Sequence, residues 1–214
     1  MKRQLLCFLA VVCLVGCGPN KQSADPSHQV ARPDLLIVAI DRSGSTTPFR
    51  EQQLAQLDLL ATYALSYKIP MEIWTYDRQS QCIFGPRVPP DEYSMEFKDL
   101  KDRYFAPQHL SKDLGTRPCT LFHFIADDPH YRQSARPVVV ILTDGDDDEG
   151  NVTNFCKRAH TLCHDHTSLQ LYVIDITPEN RPLWQRAFYE TLQNHLQLAG
   201  LDEWKSALST LYGK

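Results

Sequence analysis

Two apolar runs, each stopping at an aspartate, constrain this chain more than any other feature. Asp34 to Asp41 reads DLLIVAID, and Pro137 to Thr143 reads PVVVILT with Asp144 next. Unbroken aliphatic runs of this length suit strands buried on both faces, which is the habit of parallel strands. Parallel strands need long crossovers, usually helices. The intervening sequence supplies them. Residues 49–67 place Leu54, Leu57, Ala61, Ala64 and Leu65 at helical spacing, and Met71 to Asp77 (MEIWTYD) reads as a second strand. Gln81 to Phe84 reads as a short edge strand, and a helix is expected around 92–103. Leu121 to Ala126, 151–165 and Leu183 to Leu192 read as helices, and Leu169 to Ile176 as a strand. His195 to Ala199 reads as a short last strand, with Asp202 placed to cap a final helix over 203–212. The fold class that follows is α/β: a doubly wound, mostly parallel sheet of about six strands with helices on both faces.

Composition agrees with a globular chain. Of 214 residues, 43% are hydrophobic and 22% charged, a balance outside the disordered range. A chain this long buries roughly two thirds of its unfolded surface, so it can fold without staples. The formal net charge of −4 argues against a nucleic-acid partner held by phosphate contacts.

The first residues read as an export signal. Lys2 and Arg3 precede Leu5 to Gly16 (LLCFLAVVCLVG), an apolar run too short for a permanent membrane helix. The run ends in Leu14-Val15-Gly16-Cys17, which resembles the bacterial lipoprotein cleavage box. That resemblance implies cleavage before Cys17 and a diacylglycerol on its thiol. Gly18 follows, not the aspartate that retains many such proteins at the inner membrane, so the outer membrane is expected where a cell has one. Without Lys2 and Arg3, twenty bases face 26 acids, a formal net charge of −6. Such a chain would be held at an anionic membrane by its acyl chains and not by its charge. Residues 18–33 are polar with three prolines and read as a tether with a root-mean-square reach of about 20–25 Å. The expected organisation is a signal peptide over 1–16, lipidated Cys17 with its tether over 17–33, and one domain over 34–214.

Candidate chemistry gathers at strand ends. In an open α/β sheet, ligands bind beyond the carboxyl ends of strands, where strand order reverses. Asp41 is followed by Ser43 and Ser45 in a glycine-containing loop (DRSGS), and Asp144 ends the later strand. A carboxylate and two hydroxyls make a compact cluster of hard oxygen donors, which suits Mg²⁺.

Asp41-x-Ser43-x-Ser45, a Gly115-Thr116 loop about 75 residues on, and Thr143-Asp144-Gly145 occur in the order seen in the von Willebrand factor type A domain. The chain from about 34 to 212 resembles that family. The resemblance implies a metal-ion-dependent adhesion site in which Ser43, Ser45 and Thr116 ligate the metal directly, while Asp41 and Asp144 act largely through bound water. Thr120 is the alternative third hydroxyl, because Leu114 stands where the family often has a glycine. Gly115 is expected to give the backbone beside Thr116 unusual dihedrals. Neutral hydroxyl ligands leave the cation's charge poorly quenched. It then seeks an external anion, so the resemblance implies binding of a partner protein through an Asp or Glu carboxylate bridged by Mg²⁺, with Mn²⁺ as a substitute. Two other readings stay open: a metal-dependent hydrolase of α/β fold, and a structural envelope module with a vestigial site. No His, Cys or Lys stands near the strand ends as base or nucleophile, so an enzyme is not expected.

The remaining features read more plainly. Asp146 to Glu149 read as a solvated loop before a helix, whose amino end favours acids. Export permits disulfides among Cys82, Cys119, Cys156 and Cys163, with the pairing open. A Cys156–Cys163 bond would require the helix to break, because seven residues rise about 10.5 Å. Cys156, His160, Cys163 and His164 share a helix face in a zinc-like composition, yet one straight helix cannot wrap a tetrahedron. Trp74 and Tyr76 read as core, and Asn151-Val152-Thr153 matches a glycosylation sequon.

Overall fold

The computed structural model describes residues 32–106, 115–164 and 166–212. The signal sequence, Cys17 and most of the tether lie outside the described residues. The chain divides after Val30, and everything described lies in the second unit.

Among the described residues, six strands form one sheet: β1 (Leu35–Asp41), β2 (Met71–Tyr76), β3 (Ser80–Arg87), β4 (Pro137–Leu142), β5 (Gln170–Ile174) and β6 (Leu196–Ala199). Their order is β3-β2-β1-β4-β5-β6. All neighbours run parallel except β3, which returns antiparallel along β2. β1 and β4 are buried at every position, as their unbroken apolar runs require.

Among the described residues, seven α-helices cover the sheet: α1 (Arg50–Tyr67), α2 (Met95–Phe105), α3 (Pro118–Asp127), α4 (Pro129–Gln133), α5 (Val152–His164), α6 (Arg181–Leu192) and α7 (Trp204–Leu211). Strand alternation divides the core into two. Leu36, Val38 and Ile40 of β1 pack with α1, α2 and α7 through Leu57, Phe97 and Leu208. Leu35, Ile37 and Ala39 pack on the other face with α3 to α6 through Phe122, Tyr131, Phe155 and Trp184. On that second face, Phe122 meets Phe155, Trp184 and Phe188 edge-on, with ring centroids 5.4–5.5 Å apart.

Some expectations need correction. The edge strand is longer than Gln81 to Phe84, because pairing with β2 carries it from Ser80 to Arg87. The short helix α4 was not expected; Asp128 caps it by accepting from the main-chain N–H of His130 and Tyr131. Glu203 holds the cap position of α7, not Asp202. The four cysteines in the described residues are free thiols, so the expected disulfide is absent among them. Cys156 and Cys163 stand on one unbroken helix, Cys119 is buried in α3, and Cys82 lies on the edge strand. Cys163 is buried in the core while His160 and His164 are exposed, so that composition does not close around an ion.

Candidate metal centre

The sheet reverses its winding between β1 and β4: the chain moves from β1 to β2 on one side and places β4 on the other. The loops after these two strands therefore diverge and leave a crevice at their carboxyl ends. Asp41, the last residue of β1, sits fully buried at this point. Its carboxylate is fixed from two directions. Oδ1 accepts the main-chain N–H of Ser43 at 2.8 Å, and Oδ2 accepts the Thr143 hydroxyl at 2.8 Å. Burial pushes the Asp41 carboxyl up to about 7; hydrogen bonds from Ser43 and Thr143 oppose the rise, and the neighbouring Asp144 charge adds to it.

The serine loop curls over this carboxylate. The Ser43 and Ser45 hydroxyl oxygens are 3.0 Å apart, with Ser43 buried and Ser45 exposed. Thr46 secures the turn, its hydroxyl lying 3.0 Å from the carbonyls of both Asp41 and Ser43. Arg50, at the start of α1, is buried beneath the loop. It donates to the Asp41 carbonyl at 2.7 Å, to Thr46 Oγ1 at 2.9 Å and to Gln53 at 2.8 Å. Gln53 in turn donates to the carbonyl of Leu142, tying α1 to the end of β4.

Asp144 is buried one residue beyond Thr143. Its carbonyl accepts from Thr177 N–H at 3.0 Å and from the Asn180 amide at 3.1 Å, while its carboxylate accepts from Asp146 N–H at 3.1 Å. Gly145 has φ +86°, and a Cβ there would lie 2.8 Å from Ile176 and 3.0 Å from Asn180. Only glycine fits that backbone and that space.

Thr116 is buried on the loop that enters α3, whereas Thr120 lies within α3. The Thr116 carbonyl accepts Asp148 N–H at 3.0 Å, and the Asp148 carboxylate accepts Thr116 N–H. Asp148 is therefore a clasp between the third loop and the β4 loop, where a solvated position was expected. A Cβ on Gly115 would lie 2.1 Å from Asp148 Oδ2, so any larger residue there displaces the clasp carboxylate. The Gly115 φ is not positive, so the requirement is one of space and not of unusual dihedrals. Arg117 N–H donates to the Asp77 carbonyl at 3.0 Å, which anchors the same loop beyond β2.

Asp41, Ser43, Ser45 and Asp144 thus share the mouth of the β1–β4 crevice, and Thr116 is joined to the Asp144 loop through Asp148. Sequence reasoning did not assign Thr143, Thr46, Arg50 or Asp148 to the site. An arginine in the first turn of a helix that must pack on a sheet was the available signal.

The donors are carboxylate and hydroxyl oxygens, the chemistry of a hard divalent cation. A buried carboxylate pushed upward by burial, with two hydroxyls in contact beside it, is a cradle such an ion fits. A doubly wound sheet with this oxygen cluster at its switch point defines a von Willebrand factor type A fold, and that is the fold of this chain.

Solved structures agree. An aerotolerance-related membrane protein from Bacteroides fragilis NCTC 9343, carrying multiple mutations to serines, superposes with a TM-score of 0.56 at 16% identity, over 83% of this chain and 96% of that one. A von Willebrand factor type A protein from Catenulispora acidiphila gives 0.57 at 13% identity, over 85% and 42%. Proximal thread matrix protein 1 from the mussel byssus, with a zinc-occupied MIDAS motif, gives 0.58 at 13%, over 84% and 47%. At these identities the likeness is one of fold. No family model and no curated protein matches the sequence.

Proposed function

We propose that this chain binds a partner protein through a divalent cation, Mg²⁺ in the cell, that accepts an Asp or Glu carboxylate of the partner. The supporting observation is the buried Asp41 carboxylate, oriented by Ser43 and Thr143 beside the paired Ser43 and Ser45 hydroxyls. When bound, the ion supplies an electrophilic position for a foreign carboxylate. Ser43, Ser45 and Thr116 would hold it, with Asp41 and Asp144 behind them. Hydroxyl donors leave most of the cation's charge for the incoming anion. The role is adhesive and not catalytic.

Lipidation of Cys17 would place this activity at the bacterial cell envelope, on the outer membrane where there is one. Among the described residues no helix is long and apolar enough to cross a membrane. The mussel neighbour holds zinc in a motif of the same name, which supports a divalent ion in a fold of this kind.

Envelope proteins captured on the immobilised chain in Mg²⁺ and again in chelator test the proposal. Capture is expected in Mg²⁺ and not in chelator. Asp41→Ala and Ser43→Ala are expected to abolish it while circular dichroism stays unchanged. Capture that persists in chelator would overturn the reading.

A further inference from the structure

A second group of metal-binding side chains lies away from the crevice. Glu72 is the charged residue of β2 (MEIWTY), and its side chain is 1% exposed. It pairs with Ile37, four rungs before the Asp41–Tyr76 pair. At about 3.3 Å per residue, that places it about 13 Å down the strand from Asp41. A carboxylate in a buried strand is costly unless it has a specific partner. Glu72 Oε2 accepts the Trp74 indole N–H at 2.9 Å. Oε1 faces His130 Nδ1 at 3.3 Å, and the same nitrogen stands 3.3 Å from Asp128 Oδ1. One ligand atom from each of the three residues lies within 4.8 Å of the other two.

These spacings are poor for an ion pair and good for a shared ion. One Nδ1 carries at most one proton and can serve both carboxylates only through a weaker, shared bond. Charge-assisted bonds run at about 2.7–2.9 Å, so both contacts are long. Two ligand atoms about 2.0–2.1 Å from a tetrahedral zinc stand about 3.3 Å apart. The supports are those of a built site. Trp74 orients Glu72. Asp128 Oδ1 accepts the main-chain N–H groups of His130 and Tyr131 at 2.8 and 3.1 Å, which fixes the carboxylate as the cap of α4 and leaves its second oxygen as the freer donor to an ion. His130 is half-exposed, which leaves a way in from solvent.

The geometry points to a divalent transition-metal site, zinc being the fitting ion, formed by Glu72, Asp128 and His130 Nδ1, with its fourth position open to water. Two carboxylates and a neutral imidazole balance a doubly charged ion. One nitrogen with so few oxygens excludes the six to eight oxygens that calcium takes. The site is separate from the crevice and stands whether or not the adhesive reading does.

Equilibrium dialysis of the full chain against zinc tests it. His130→Ala is expected to remove one equivalent of bound zinc from the unaltered chain, with circular dichroism unchanged because His130 is half-exposed. The same equivalent is expected to survive Ser43→Ala, and Co²⁺ in place of zinc is expected to give tetrahedral visible bands that His130→Ala abolishes. Affinity is expected to fall by more than the roughly 10–100-fold that losing an outer partner costs. Equal zinc uptake by the His130→Ala and unaltered chains would overturn the assignment, as would loss of all zinc in Ser43→Ala alone.

Discussion

Arg50 donates to the main-chain carbonyl of Asp41 at 2.7 Å, from nine residues further along the chain. The contact joins the first turn of α1 to the last residue of β1, under the loop that carries Ser43 and Ser45. Burial pushes the guanidinium down to about 10, with the nearby Asp41 charge acting in the opposite direction. Arg50→Met keeps most of the apolar stem but removes donors to Asp41, Thr46 and Gln53. Hydrogen bonds from a charged donor contribute about 1.5–3 kcal/mol. The variant is expected to lose about 2–3 kcal/mol in urea unfolding and to bind Mn²⁺ more weakly by calorimetry. An unchanged unfolding midpoint would show that the bridge contributes nothing.

Thr143 acts on the candidate centre through Asp41. Its hydroxyl donates to Asp41 Oδ2 and accepts Gly145 N–H at 3.0 Å, so one oxygen positions both the carboxylate and the β4 loop. Thr143→Val has the same shape without the oxygen. Mn²⁺ affinity is expected to fall roughly 10-fold or more, as when an outer partner of a metal ligand is lost. Thr143→Ser keeps the hydroxyl and is expected to restore most of it. Equal affinity in Thr143→Val and the unaltered chain would remove Thr143 from the site.

The Asp148 clasp makes a sharper prediction, because Asp148 is expected to touch no ion. Asp148→Ala removes the acceptor for Thr116 N–H and frees the third loop. Cation affinity is expected to drop although every assigned ligand remains. Asp148→Asn keeps an acceptor oxygen and is expected to lose much less. Gly115→Ala should resemble Asp148→Ala, since its Cβ would occupy the space of the Asp148 carboxylate. Mn²⁺ titrations of the three variants check the order. Identical affinities for Asp148→Ala and Asp148→Asn would contradict the clasp.

The strands were legible where burial is complete. β1 and β4 must be apolar at every position, and their runs announce it. α1 was legible too, from apolar spacing over 49–67, although its buried face also includes Arg50, Gln53 and Gln56, whose polarity serves strand ends and not helix packing. The local signal for α4 was present in Asp128-Pro129, a cap followed by proline in the first turn, but the helix is only five residues long. Asp41, Ser43, Ser45 and Asp144 could be read because each lies within four residues of a strand end. Asp148 and Thr116 are 32 residues apart and meet only when two loops fold together. The Glu72, Asp128 and His130 group is hidden for the same reason.

Asp175, the residue after β5, stands in the left-handed region at φ +71° and is fully buried. Gln52 and Gln56 donate to its Oδ1 at 2.7 and 2.9 Å, while Oδ2 and the Gln56 amide oxygen are buried without a hydrogen-bond partner. Burial raises the Asp175 carboxyl above its ordinary 3.8, and the two glutamines oppose the rise. The folded chain therefore binds this proton more tightly than the unfolded chain. The resulting stability is fully present below the ordinary value and is lost as pH rises through the raised one. Asn tolerates the left-handed backbone, keeps the acceptor oxygen and puts an N–H donor in place of the unpartnered oxygen. Asp175→Asn is expected to gain about 1–2 kcal/mol at neutral pH, the scale of an unsatisfied buried acceptor. The gain is expected to shrink as pH falls toward 4, as the native carboxyl takes up its proton. Urea midpoints of both chains across pH 4–8 give the difference curve. A variant less stable at neutral pH, or a difference that ignores pH, would show that Asp175 is charged and satisfied in the fold.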